Sequence, residues 1–182
     1  RMIDFAVFLD ESFSRYVCRN QDIHLSAGIT LHKPNTPIDR LSESTEEALA
    51  RAKAAGRNRL TIFSETVSWD ELGKLIDISR TFDLWMDKGL TNHAMFYRLN
   101  EFIAMAAREK AVLMEKELNL EDMECLKWYS LFRYTVERNV GRGLKREERE
   151  GAVGEFNKVL PWLRNYGGSL RIALWHMIYN NR

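Results

Sequence analysis

The chain has 182 residues, of which 45% are apolar, enough to bury the core of one domain or one and a half. Its 27 basic residues nearly cancel its 26 acidic ones, so no global field draws the protein to nucleic acid or to an anionic membrane, and any such binding must come from local patches. Cys18 and Cys125 are too few and too far apart for a disulfide framework or a thiolate metal site, and Arg108, Lys110 and Glu115 interrupt the greasiest segments before bilayer-spanning length; a soluble, cytoplasmic protein is the expectation.

From Asp4 to Val17, Phe5, Leu9, Phe13 and Tyr16 or Val17 recur at helical spacing, which predicts an amphipathic helix with that face buried. The helix opens the chain with almost no lead-in, as expected of a piece that starts inside a larger protein. Ile23, Leu25, Ala27, Ile29 and Leu31 then alternate with His24, Ser26, Gly28, Thr30 and His32, the period of a half-buried strand. The two histidines are far apart along one face with no carboxylate or cysteine at ligand spacing, so they read as surface residues rather than a metal site. Gly28 is a place where a ligand or a neighbouring backbone could approach closely, or a simple bulge.

Pro34 and Pro37 break the strand. The next pattern predicts a helix from Ile38 to Ala55 with an inward stripe of Ile38, Leu41, Thr45, Ala48, Leu49 and Ala52. Gly56 supplies the positive φ of a C-cap, Lys53 lies one turn before it and Arg57 directly after it. Two cations therefore converge beside a sheet edge, either to complement the helix dipole or to hold an anion. Arg59 to Phe63 is a second short strand.

Beyond Ser64 the character changes to long helices. Ser68-Trp69-Asp70-Glu71 is a capping box and opens a helix carrying Leu72, Leu75, Ile76, Phe82 and Leu84 or Trp85 that Gly89 ends. Thr91 or Asn92 caps a second, with Met95, Phe96, Leu99, Phe102, Ile103, Ala106, Leu113 and Met114 on its apolar stripe and its end near Leu118. Asn119 with Asp122 caps a third, with Met123, Leu126, Trp128 or Tyr129, Leu131, Phe132 and Val136 inside and Gly141 and Gly143 breaking it. Helical character resumes at Arg146, Pro161 marks a kink or a new first turn, and Gly167-Gly168 precede a last helix. Trp85, Trp128 and Trp175 fall on apolar stripes, Met95, Met114 and Met123 are core fillers, and Trp69 and Trp162 are candidates to face a partner. Two strands alone make no stable sheet, so the pattern expects missing strands to come from upstream sequence, from a neighbour or from packing on the bundle.

The helix, the strand reading Ser26-Ala27-Gly28-Ile29, the helix ending Ala52-Lys53-Ala54-Ala55-Gly56-Arg57-Asn58-Arg59 and the following strand resemble the second half of the nucleotide-cyclase palm of GGDEF proteins. Phe63, the run Thr66-Val67-Ser68-Trp69-Asp70-Glu71, the segment from Trp128 to Asn139 and Leu160-Pro161-Trp162-Leu163 are similar to the large, polymerase-like subunit of type III CRISPR interference complexes, the Csm type in particular. That resemblance implies a mainly α chain in which residues 1–66 are the carboxy-terminal half of a ferredoxin-like palm, with two strands, and residues 67–182 a carboxy-terminal helical bundle domain. It implies a role in antiviral defence, the full-length parent being a nucleotidyltransferase that uses ATP and a divalent metal, Mg or Mn, to make cyclic oligoadenylate when its complex holds target RNA. By position, Lys53 and Arg57 inherit contact with the triphosphate. The implied partners are the other subunits of the effector complex, including the small helical subunit, and the guide and target RNA, with no membrane.

The family's GGDD hairpin, whose aspartates hold the metals, is absent: the only Gly-Gly is Gly167-Gly168, followed by Ser169 and Leu170. No catalytic or metal-ligating residue is therefore expected in this chain, which should be inactive alone and need no cofactor; the nuclease domain and first palm are missing as well. In the helical part Arg133, Arg138, Arg142, Lys145, Arg146 and Arg149 span a glycine-broken loop and are the candidates for RNA or partner contact, above all Arg138, Arg142, Lys145 and Arg146. Glu137, Glu147, Glu148 and Glu150 dilute them, and a salt-bridged solvated surface is the alternative. Two other functional readings stand beside the first: the tail of a diguanylate cyclase, against which the long helical extension argues, and a standalone helical adaptor or RNA-binding module.

Overall fold

The computed structural model describes residues 2–115 and 120–181, which form a small mixed sheet with helices followed by a helical bundle. Two compact units divide the chain, one of residues 1–78 with 178–182 and one of residues 79–177.

In the first unit, α1 spans Met2–Tyr16, β1 Ala27–Ile29, α2 Ile38–Ala54, β2 Arg59–Ile62 and β3 Glu65–Ser68. The sheet order is β1-β2-β3, with β1 parallel and β3 antiparallel to β2. It has one strand more than the sequence pattern predicts. Phe63 and Ser64, both at positive φ (51° and 68°), form the two-residue connection between β2 and β3, the geometry that matches a tight hairpin to strand twist. The Phe63 ring stacks on Tyr179 with centroids 5.9 Å apart.

The contact of α2 with β1 is set by what Gly28 lacks. A Cβ there would fall 2.5 Å from the Leu49 nitrogen and 2.9 Å from the Ala48 carbonyl carbon, so helix backbone rests directly on the strand and the close-approach reading of this glycine holds. Ala48 and Ala52 face inward with no measurable bulk to hold the helix off, at 1% and 0% exposure. In register with Gly28 lie Thr61 and Thr66, whose hydroxyls bond each other at 2.9 Å. Leu60 and Val67, one residue along, point to the opposite face and are fully buried.

Several expected burials shift. The strand is only three residues long, and Ile23 and Leu31 are exposed. Ile38 is exposed at the start of α2, because the helix meets the sheet only from its second half. On α1 the buried positions are Ile3 and Ala6, with Asp10, Phe13 and Val17 half-buried behind them, while Phe5 and Phe8 are 57% and 62% exposed. The face that packs is that of Ile3, Ala6, Asp10, Phe13 and Val17, and Phe5, Phe8 and Tyr16 point outward. His32 is half-buried with Nε2 2.9 Å from the Ser44 hydroxyl.

The second unit takes the end of α3 (Trp69–Asp87), then α4 (His93–Glu115), a 3-10 segment Leu120–Lys127, α5 (Trp128–Asn139), α6 (Arg146–Phe156), α7 (Val159–Tyr166) and most of α8 (Leu170–Asn180). The Ser68 hydroxyl accepts the Glu71 amide at 3.2 Å, one of the two bonds of a capping box. Gly89 (φ 64°) ends α3, with the Leu90 amide bonding back to the Trp85 carbonyl at 3.0 Å. Asn92, not Thr91, caps α4, accepting the Met95 amide at 3.0 Å. The expected end near Leu118 and the Asn119 and Asp122 cap lie outside the described residues or side chains.

Aromatic rings make this unit's core: Phe82 lies 5.2 Å from Phe96, Trp85 5.3 Å from Phe156, and Phe102 5.4 Å from Phe132. Trp162 stacks on Trp85 at 5.9 Å, so it is core-packed rather than aimed at a partner. Trp85 and Trp128 are buried as expected, whereas Leu113, Met114, Leu126, Met123 and Leu131 are exposed. The 3-10 segment winds tighter than an α-helix, which rotates its side chains off the 3.6-residue stripe. Buried Ser79 and His176 bond through Oγ and Nδ1 at 3.0 Å.

The backbone contact at Gly28 makes a sharp stability prediction. Gly28→Ala is expected to destabilise the chain by about 1–3 kcal/mol, whereas Gly73→Ala, in α3 with nothing within 4 Å of an added Cβ, gains up to about 1 kcal/mol. Urea unfolding reads both, and a Gly28→Ala protein as stable as the parent contradicts the packing described.

Candidate functional site

The end of α2 delivers the two cations singled out in the sequence. The Ala55 amide closes the last turn on the Arg51 carbonyl at 3.0 Å and the Gly56 amide bonds to the Lys53 carbonyl at 3.3 Å. Three successive residues then take positive φ: Gly56 at 114°, Arg57 at 59° and Asn58 at 50°. For glycine this is free, but for an arginine and an asparagine it costs on the order of 1–2 kcal/mol each. Residue 59 immediately pairs into the sheet opposite Ser68, so the turn has only these residues in which to reverse the chain. Lys53 and Arg57 are both exposed, and neither is engaged by an ion pair or side-chain hydrogen bond among the described residues. Their charge is thus available to an anion.

Asn58 also lines a cleft of about 470 Å³ in the same unit. Asp10 and Phe13 of α1 form one wall, Arg19 and His24 of the following loop another, and Trp69 and Asp70 at the start of α3 a third. Trp69 is fixed there by a bond from Nε1 to the Leu25 carbonyl at 3.0 Å. Burial, with the negative charges of Glu11 and Asp70 adding to it, pushes the Asp10 carboxyl above its ordinary value of 3.8. The sequence pattern missed this group, although a signal was there: Ile3, Ala6, Asp10, Phe13 and Val17 follow a strict three-four spacing, and a carboxylate interrupting an inward stripe is a marked residue.

Of the candidate cations of the second unit, Arg138, Arg142, Arg146 and Arg149 are engaged locally, whereas Arg133 is exposed without a side-chain partner among the described residues and Lys145 is held only through its backbone amide. Arg138 Nη1 donates to the Tyr134 hydroxyl at 2.7 Å and the guanidinium lies 5.9 Å from that ring's centroid. Arg142 Nε donates to the Arg138 carbonyl at 2.9 Å, where it satisfies the end of α5. The Lys145 amide donates to the Glu148 carboxylate at 3.4 Å, and Arg146 pairs with Glu150 at 3.3 Å in full solvent. Arg149 donates to the Glu137 carbonyl. A groove of about 610 Å³ here is lined by Glu137, Arg146, Arg149, Glu150 and Asn157 among others, with acids and bases in balance.

Among the described residues no group of three or more His, Cys, Asp or Glu side chains could hold a metal ion. No helix among them is long and apolar enough to cross a membrane.

Residues 1–61 match the family model described as Cas10/Cmr2, second palm domain. The matched stretch runs from α1 into β2 and contains Lys53, Gly56 and Arg57. No curated protein and no solved structure matches the chain.

The Asp10 environment carries a pH consequence. A carboxyl whose folded pKa is raised binds its proton more tightly in the native state, so native stability falls as pH rises through that titration, and the effect vanishes below 3.8, where both states are protonated. Asp10→Asn is therefore expected to raise the thermal midpoint at pH 7 and to lose that advantage at pH 3.5. An equal or lowered midpoint at pH 7 contradicts it.

Proposed function

We propose that this chain is part of the large, polymerase-like subunit of a type III CRISPR interference complex: residues 1–66 form the carboxy-terminal half of its second palm, and residues 67–182 form a helical scaffold that meets RNA and the small subunit. In the parent subunit the palm makes cyclic oligoadenylate from ATP. The contribution of this chain to that chemistry is electrostatic. Lys53 and Arg57 form the positive wall of a triphosphate site, where a rigid guanidinium and a mobile ammonium neutralise the negative charge that grows as pyrophosphate leaves. A divalent metal supplies activation of the attacking hydroxyl in such enzymes, and the carboxylates for it are not in this sequence, so the chain by itself is inactive.

One observation carries the reading. The match to the palm family runs to residue 61, and inside it two exposed, unengaged cations flank a turn in which a non-glycine residue, Arg57, is held at positive φ. Helix-dipole complementation accounts for a cation in the last turn, such as Lys53, but not for Arg57, which lies beyond the helix end.

In the full-length subunit assembled with its partners, Arg57→Ala is expected to lower cyclic oligoadenylate formation by about 100-fold, the scale of losing one preorganised charge contact in a transition state, with assembly intact. The isolated chain is expected to bind tripolyphosphate at low salt and to lose about tenfold in affinity in Arg57→Ala. Product formation at the parental rate contradicts the assignment.

A further inference from the structure

The cleft walled by α1, the loop after it and the start of α3 has no part in the phosphate reading. Asp10 and Asp70 both line it, and neither side chain makes a hydrogen bond or ion pair among the described residues. Asp70 sits in the first turn of α3, where the helix dipole favours a negative charge. Asp10 lies in the interior of α1, half-buried, with the negative charges of Glu11 and Asp70 acting on it. No cation answers it: Arg19, which also lines the cleft, is exposed and its guanidinium engages neither carboxylate. The Trp69 indole stands in the same lining, held by its bond to the Leu25 carbonyl at 3.0 Å. A flat group that meets this ring meets a surface with little freedom left to lose.

We propose that this cleft receives an arginine side chain of a partner polypeptide, its guanidinium lying on Trp69 and donating to the carboxylates of Asp10 and Asp70. A guanidinium matches a carboxylate with paired donors, stacks on an indole face and sheds its hydration more readily than an ammonium. Those are the demands that an unpaired, half-buried carboxylate beside a fixed aromatic ring makes. A cation seated here also relieves the repulsion among Asp10, Glu11 and Asp70, so binding removes a cost that the free protein bears. At about 470 Å³ the cleft has room beyond the guanidinium, and the exposed side-chain amides of Gln21 and Asn58 line part of it. An amide both donates and accepts, which suits the peptide groups that flank an arginine, whereas a polyamine leaves the donors unused. The inference stands on the lining of this cleft alone and is independent of the phosphate assignment at Lys53 and Arg57.

The test follows the Trp69 indole N–H resonance of the 182-residue chain at pH 7 and low salt. N-acetyl-arginine amide, its uncharged analogue N-acetyl-citrulline amide, and spermidine are titrated in turn. The arginine derivative is expected to shift that resonance saturably and to bind about tenfold more tightly than either of the others. Asp70→Asn and Asp10→Asn are each expected to weaken arginine binding about tenfold. Asp10→Asn does so while raising the thermal midpoint, a combination that loss of folding does not produce. Equal binding of the citrulline derivative removes the charge requirement and overturns the proposal. Tighter binding of spermidine assigns the cleft to a free polyamine and overturns it as well, as does an indole resonance that none of the three compounds moves. The comparison among ligands on the parent chain needs no variant, so poor folding of an aspartate substitution leaves the test intact.

Discussion

The first unit is organised by the absence of a side chain. With Gly28 bare, the backbone of α2 settles onto β1 at a distance that admits no Cβ, and Ala48 and Ala52 keep the helix there. That contact sets the height of α2 above the sheet. The helix therefore runs out where β2 must begin, leaving four residues, Ala55 to Asn58, to turn the chain. A turn so short is forced through the left-handed region, and Arg57 is carried with it. The close packing of helix on strand and the short turn that follows it together fix where Arg57 and Asn58 stand.

The same contact explains which parts of this unit were legible in the sequence. Gly28 in an alternating strand, the alanine-rich stripe and Gly56 after it each state a steric requirement that has few solutions, and the pattern recovers them. Ile38, Ile23 and Leu31 carry only hydrophobicity, which says that a residue prefers burial but not that a partner is present to bury it. The outward aromatics of α1 mislead for the same reason: Phe5 and Phe8 carry hydrophobicity, but the face that meets the rest of the unit is that of Ile3, Ala6, Asp10, Phe13 and Val17. β3 is hidden because Ser68 ends the strand and caps α3 at once, and only the cap has a strong sequence signature.

In the second unit the helices themselves were legible from spacing, while the function of their charges was not. A run of arginines reads as a patch when written in one dimension. Folded, Arg142 satisfies the end of α5, Arg138 lies on Tyr134, and Arg146 answers Glu150. Local partners within four residues account for each of these contacts, and they are visible in the sequence as Tyr134-x-x-x-Arg138 and Arg146-x-x-x-Glu150 spacing. Lys53 and Arg57 differ from these three in that no side-chain hydrogen bond or ion pair engages them among the described residues, a property they share with Arg133. A cation with a neighbour four residues away is a weak candidate for a distant ligand, and one without is a stronger candidate.

The central claim is that the turn after α2 is an anion site prepared by the fold. Residue-resolved amide shifts on titrating tripolyphosphate into the isotopically labelled chain test it most directly. The account predicts saturable shifts concentrated at Gly56, Arg57 and Asn58, extending to the last turn of α2 at Lys53. Shifts confined to Arg138 through Arg149, with the α2 turn unmoved, would contradict it.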